Sequence, residues 1–255
     1  MDRRDFIKRS GATLGTVAIE LIAENPIVAA INKSINAKND TNIMSKKIMI
    51  IDGGPRKNMN TAAMVEKFAE GAKAGGAEVK VVRLYDINYK GCRSCMACQL
   101  KGKRVPSCRF KDGLTDVLAE VTEADGLVIA SPIYYGEFAA MTRAFWERLT
   151  FPWLSYSKGT LVAPKKMPVT MIYTMNATPE QAAMTLQSMQ GIQMYTGMAF
   201  GCEVEVIQAN NTTQVNNYDR FDFSEGTAEA KKAWKDAHWE QDLQKAFEAG
   251  KRMAK

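Results

Sequence analysis

"KKIMIIDGGPRKNMNTAAM", residues 46–64, changes its periodicity within a few positions. Ile48 to Ile51 form a short unbroken apolar run, Gly53, Gly54 and Pro55 turn the chain, and beyond Asn60 the apolar positions recur at three and four spacing. That is a strand, a tight loop and a helix. Asn60 or Thr61 is the residue type that caps such a helix. Backbone N–H groups at a turn of this kind, with Arg56 and Lys57 beside them, suit a phosphate. Neither a Walker loop nor a dinucleotide fingerprint is present, because neither glycine spacing occurs. A plain strand-to-helix turn carrying two solvated bases fits the same residues, so the stretch alone leaves both readings open.

Outward from it, the same alternation repeats. "AEVKVVRL" (77–84), "DGLVIAS" (125–131), "MPVTMIYT" (167–174) and "CEVEVI" (202–207) read as four further strands. Between them, "GLTDVLAEVTEA", "FAAMTRAFWERL" and "PEQAAMTLQSMQGIQMYTG" have helical spacing. Strands alternating with helices imply a parallel sheet covered on both faces. Five strands suit an α/β three-layer sandwich of flavodoxin-like order 2-1-3-4-5, whose ligands sit beyond the carboxyl ends of the strands at the switch point. Function is therefore expected in the loops after the first, third and fourth strands.

At 255 residues and 46% hydrophobic composition the chain buries a full core. Its net charge of +6 is scattered among 28 acidic residues. That distribution argues against a nucleic-acid stripe and favours anionic small ligands or acidic protein partners. No apolar run reaches the roughly 20 residues that span a bilayer. Residues 1–43 read as a leader set apart from the domain at 44–255. "MDRRDFIKRS" is followed by the short, weakly apolar "GATLGTVAIELI", and Arg3-Arg4-Asp5-Phe6-Ile7-Lys8 resembles a twin-arginine export signal. Export to the periplasm or cell envelope is the expectation. The alternative is a cytoplasmic protein starting at Met44, where "MSKKIMII" reads as a natural N-terminus.

In "ASPIYYGEFAAMTRAFWERL", residues 130–149, Pro132, Tyr134, Tyr135 and Gly136 stand where a planar ring stacks at a strand end, with Gly136 admitting close backbone approach. This stretch, "GGPRKNMNTAAM" and the cysteine-rich loop between them resemble the NADPH-dependent FMN reductase superfamily, and most of all its iron-sulfur flavoprotein branch. The similarity covers residues 46–150 well and the remainder more loosely, through "TMNATPE" and "WEQDLQKAFEAGKRM". The resemblance implies FMN, with Gly54, Pro55, Arg56, Lys57, Asn60 and Thr61 around its phosphate. Pro132, Ile133, Tyr134, Tyr135 and Gly136 would face the ring, and Thr174, Met175 and Asn176 would close the far side. The family usually has serine where Gly54 stands and glycine where Met59 stands. The resemblance also implies a homodimer or homotetramer.

"GCRSCMACQLKGKRVPSC", residues 91–108, places Cys92, Cys95, Cys98 and Cys108 in the spacing C-x2-C-x2-C-x9-C. Thiolates so spaced wrap a cubane, with a distant fourth closing it. Structural zinc more often uses two separated C-x2-C pairs. In the iron-sulfur branch the compact cysteine loop holds a 4Fe-4S cluster, with a last spacing usually shorter than nine. Disulfides in an oxidising compartment, or free thiols, are the remaining readings. Lys101, Lys103, Arg104 and Arg109 offset a thiolate-rich cluster or simply aid solubility.

The other reactive residues point elsewhere. Cys202 reads as a core thiol, and His238, the only histidine, as a surface residue, so His-based metal sites and Ser-His-Asp chemistry are absent. Met184, Met189, Met194 and Met198 read as core or subunit contacts, Trp146 and Trp153 as covers of the flavin mouth, with helix packing an equal reading of Trp146, and residues 208–224 as a polar crossing segment. No side chain is expected as a nucleophile, so the chemistry is flavin-centred. Three classes follow. The first is a reductase, drawing on reduced nicotinamide (NAD(P)H) or another donor and acting on quinone, nitro, azo or oxygen-type small-molecule acceptors. The second is an electron carrier serving a ferredoxin-like redox partner protein, and the third a flavin-binding sensor.

Overall fold

The structure is a computed structural model that describes residues 45–103 and 105–255, so the leader expectation for residues 1–43 lies outside the described residues. In chain order the elements are β1 (Lys47–Asp52), α1 (Asn60–Ala74), β2 (Glu78–Arg83), α2 (Thr115–Glu123), β3 (Gly126–Tyr134), β4 (Glu137–Phe138) and α3 (Ala140–Thr150), then β5 (Leu154–Ser155), β6 (Thr160–Leu161), β7 (Val169–Thr174), α4 (Pro179–Phe200), β8 (Val204–Ala209) and α5 (Thr227–Met253). The long strands form a parallel sheet in the order β2-β1-β3-β7-β8. That is the expected order, with three short strands added. β4 folds back antiparallel on β3, and β5 pairs with β6 in a separate hairpin.

Why the inner strands are apolar throughout follows from the period of two. Ile48 and Ile50 of β1, Val128 and Ala130 of β3, and Ile172 of β7 pack under α1 and α5. Their neighbours Met49, Ile51, Leu127, Ile129, Met171 and Tyr173 face α2, α3 and α4 on the other side. A strand buried on both faces has no polar positions to alternate with. On the first face, α1 and α5 meet backbone to backbone. A Cβ on Gly71 would lie 1.9 Å from the Phe247 carbonyl oxygen, and one on Gly250 would lie 2.1 Å from that of Phe68.

α4 opens on a capping box between Thr178 and Gln181 and ends at Gly201, whose φ of 65° only glycine adopts readily. Of its methionines only Met189 enters the core; Met184, Met194 and Met198 lie on the exposed face. Among the described residues no helix is long and apolar enough to cross a membrane.

Candidate functional site

The carboxyl ends of β1, β3 and β7 open on a cavity of about 110 Å³. Its wall brings together Gly54, Pro55, Arg56, Asn60 and Thr61 from the first loop, Pro132, Ile133 and Tyr134 from the end of β3, and Thr174, Met175 and Asn176 from the end of β7. Three segments far apart in sequence meet because β1, β3 and β7 are adjacent in the sheet. Met59, Thr212, Thr213 and Gln214 complete the wall.

The helix behind the first loop is not capped as its sequence suggests. Met59 occupies the N-cap and no side chain caps α1. Asn60 and Thr61 turn to the cavity instead: Asn60 Nδ2 donates to the Thr213 carbonyl at 2.7 Å, and Thr61 Oγ1 meets Thr174 Oγ1 at 2.7 Å. The first-turn N–H groups of α1 therefore keep no side-chain partner, which is the donor set an anion takes at a helix N-terminus. Gly54 contributes differently. Its N–H donates at 2.8 Å to Asp52 Oδ1, away from the cavity, and Asp52 Oδ2 accepts from Arg83 Nη1 at 2.6 Å. Burial pushes the Asp52 carboxyl above the usual range against the pull of Gly54 and Arg83. A Cβ at Gly54 would meet Asp52 Oδ1 and Thr61 Cβ at 3.0 Å each, so the residue that turns over the buried carboxylate is tightly hemmed in.

Three expected residues stand outside the cavity wall. Lys57 is exposed and pairs with Asp86 at 3.4 Å. Tyr135 and Gly136, with φ of 54° and 79°, are the two central residues of a tight hairpin from β3 to β4, and two positive φ values mark a type I′ turn. The turn throws the Tyr135 side chain fully into solvent, and the Gly136 carbonyl accepts from Ser188 Oγ at 2.6 Å. The segment read as a polar crossing lines the cavity through Thr212, Thr213 and Gln214. Thr212 N–H and Oγ1 both donate to the Met175 carbonyl, at 3.0 and 3.1 Å, and Arg56 Nη1 donates to the Gln214 carbonyl. Nothing periodic marks "NNTTQ"; its position directly after the end of a sheet strand is the signal available.

The four clustered cysteines line a second, very small cavity with Arg93, Arg148 and Phe110. Ser94 and Met96, between successive cysteines, have φ of 52° and 56°, a left-handed alternation that coils the short loop. All four thiols are free; Cys92 and Cys95 are exposed, Cys98 is buried and Cys108 half-buried. Burial pushes the Cys98 thiol up, and the three neighbouring sulfurs add to it. Among the described residues no three ligands converge as they would on one metal ion.

Arg148, which no sequence motif singles out, organises this loop. Wholly buried, it donates to Asp112 Oδ2 at 2.5 Å and to the carbonyls of Lys90 and Phe110 at 3.0 and 2.8 Å, and the Cys108 sulfur is a further partner. Trp153 also belongs here. Its indole N–H donates to the Pro106 carbonyl at 2.8 Å and its ring packs edge-on against Phe200, which takes it away from a flavin mouth. Trp146 donates to Thr196 Oγ1. Cys202 is half-buried beside the core, and His238 is half-buried too, stacked on Trp234 at 3.8 Å.

The sequence profile of the NADPH-dependent FMN reductase family matches residues 46–199, more than half of the chain. The chain belongs to that family. Among curated proteins, an iron-sulfur flavoprotein of Archaeoglobus fulgidus is 36% identical over 102 residues, 40% of this chain and 48% of that protein. Another from Methanosarcina thermophila is 29% identical over 102 residues, 40% of this chain and 51% of that protein. This FMN reductase family member thus spans about half the length of the curated relatives it matches. Among solved structures, the NAD(P)H:quinone oxidoreductase from Methanothermobacter marburgensis superposes with a TM-score of 0.56 at 17% identity, covering 81% of this chain and 98% of its own. An FMN-dependent NADH-azoreductase from Bacillus anthracis gives 0.56 at 14%, covering 82% and 100%. These likenesses establish the flavodoxin-like fold of this family member.

Proposed function

We propose that the chain is an FMN-dependent oxidoreductase. It would take electrons from reduced nicotinamide or a ferredoxin-like donor and reduce quinone, nitro, azo or oxygen-type acceptors. The observation that carries this reading is the cavity at the switch point, where the N-terminus of α1 faces the ends of β3 and β7. The residues fit the cofactor: Arg56, Asn60 and the first turn of α1 offer donors at one end, and Pro132, Ile133 and Tyr134 offer a flat, largely apolar wall at the other. Bound there, FMN supplies the exchange of a hydride or electron pair, while the chain supplies binding and orientation. The Thr61–Thr174 contact ties the phosphate end of the wall to the β7 end, and Thr212 holds Met175 in place.

We extend the proposal to a 4Fe-4S cluster on Cys92, Cys95, Cys98 and Cys108. A cubane takes one thiolate per iron, so its ligands surround a cage rather than converge on one atom. Four free thiols around one small cavity, flanked by Arg93 and Arg148, suit an anionic cluster. Export through the twin-arginine route, which carries folded cofactor-loaded proteins, stays part of the reading and is tested by mass spectrometry of the native N-terminus.

The decisive measurement is an anaerobic absorption spectrum with iron, zinc and flavin quantified. Flavin with about four irons per chain supports both proposals; flavin without iron removes the cluster, and no flavin removes the function. Arg56→Ala is expected to weaken FMN binding roughly 10- to 100-fold, the effect of one charged hydrogen bond, by fluorescence titration. Lys57→Ala, at an exposed pair, changes it little. Equal effects of the two would contradict the assigned geometry. Cys95→Ser is expected to lower iron content while flavin content stays the same, and unchanged iron would sink the cluster.

A further inference from the structure

Lys231 lies in the second turn of α5 and is only 7% exposed. Its Nζ donates to Asn176 Oδ1, to Asn211 Oδ1 and, at 3.4 Å, to the Asn176 carbonyl. Nearby α5 lysines behave otherwise: Lys232 and Lys245 pair with Asp236 and Asp242. Lys231 has no carboxylate partner among the described residues, and burial alone pulls its ammonium below the ordinary lysine range. Three acceptors and no donor around Nζ match the three hydrogens of the protonated form. The site is also close to the positive end of α5, where a cation is disfavoured. A buried charge with no opposite charge is costly, and departures of this kind concentrate at functional sites.

Its two partners connect it to the cavity. Asn176 is part of the cavity wall. Asn211, at a left-handed φ of 50°, donates its N–H to the Ala177 carbonyl at 2.8 Å, directly before the wall residues Thr212 to Gln214. Because Asn176 Oδ1 is committed to the ammonium, the hydrogen-bonding group its side chain keeps for the cavity is the NH₂ donor. Charge and amide therefore act in the same direction.

We propose that Lys231 is a positioning residue that makes this wall electropositive, through its uncompensated charge and through the amide it orients, and so biases bound flavin toward its negatively charged reduced form. This rests on the FMN reading above. A hydride from reduced nicotinamide would bring two electrons and one proton to a neutral flavin and leave it a single negative charge, which a cation held by Asn176 and Asn211 would favour.

The test is the midpoint potential of the two-electron flavin couple, measured by anaerobic spectroelectrochemistry with dithionite on the full-length, FMN-loaded chain. Lys231→Gln keeps a donor and removes the charge. Asn211→Asp keeps the lysine and sets a carboxylate beside it, outside the cavity wall. Both are expected to move the potential negative by about 30 mV or more, a tenfold preferential loss of the reduced form, whereas Lys231→Arg stays near wild type. Because the new carboxylate carries a charge of its own, Lys231→Gln against Lys231→Arg decides the role of the lysine, while Asn211→Asp decides whether charge at this position reaches the flavin; if Lys231→Gln fails to fold, an unshifted Asn211→Asp still overturns the inference. Potentials within about 10 mV of wild type, roughly a twofold ratio, in the flavin-loaded variants overturn this inference alone. Wild-type protein that takes up no FMN overturns the flavin reading and this inference with it.

Discussion

Replacing Arg148 with methionine is expected to destabilise the fold by about 3–5 kcal/mol, because it breaks a buried ion pair from one side. The side chain is wholly buried, and its removal takes the charged donor from Asp112 Oδ2, which keeps only the Lys90 N–H at 3.3 Å, and the donor from the carbonyls of Lys90 and Phe110. For a domain of this size the loss corresponds to a melting temperature lower by roughly 6–20 °C. The double variant Arg148→Met/Asp112→Asn is expected to recover part of the loss, since the stranded charge goes with its partner. A cost below about 1 kcal/mol for Arg148→Met would show that the pair contributes no more than a surface one.

The same pair fixes an acid limb of stability. Burial alone would raise the Asp112 carboxyl, but Arg148 and the N–H groups of Leu114 and Lys90 outweigh it and hold it below the usual range. A depressed carboxylate contributes stability that is fully present above its unfolded value, about 3.9, and is lost as pH falls through its lower folded value. Arg148→Met is expected to flatten this limb in denaturant unfolding measured across that window. Because Arg148 also contacts Cys108 and lines the cysteine cavity, the iron content expected of the proposed cluster would fall with stability in the same variant.

The sheet was legible because its inner strands are buried on two faces. Runs such as Ile48–Ile51 and Leu127–Ala130 leave little choice of period, and the helices between them repeat at three and four. β3 runs on to Tyr134, past the expected end at Ser131, because Pro132 still sits opposite Thr174 of β7 and its carbonyl accepts from Ala139. The loops at the switch point were legible for the same topological reason. What sequence could not carry was the direction of side chains inside a loop. Gly54, Arg56 and Lys57 lie within four positions, yet Arg56 lines the cavity, Lys57 faces Asp86, and Gly54 lends its backbone to the wall while giving its N–H to Asp52. Lys231 and Arg148 sit in helices where lysine and arginine are ordinary, and only the fold shows that both are buried.

Gly53→Ala is expected to destabilise the fold by about 1–3 kcal/mol or more, the usual cost of overpacking a closed site, and to lower FMN affinity with it. Gly53 sits between β1 and the first loop, and its N–H donates to the Ala130 carbonyl at 2.8 Å. The added methyl would lie 1.8 Å from Thr142 Oγ1 and 2.9 Å from the Ala130 oxygen. One of those atoms is backbone of β3, so the methyl cannot be admitted by a side-chain rotation alone. The chain must lift at Gly53, which moves Gly54, Pro55 and Arg56, all part of the cavity wall. Thr142 Oγ1 is buried with no hydrogen-bond partner among the described residues, so removing it sacrifices no bond. Thr142→Ala in the Gly53→Ala background is therefore expected to restore part of both stability and FMN binding, leaving the Ala130 contact as the residual cost. Stability and flavin affinity recovering together would show that one steric contact sets both; stability recovering without affinity would show that the first loop holds its cavity face independently of Gly53.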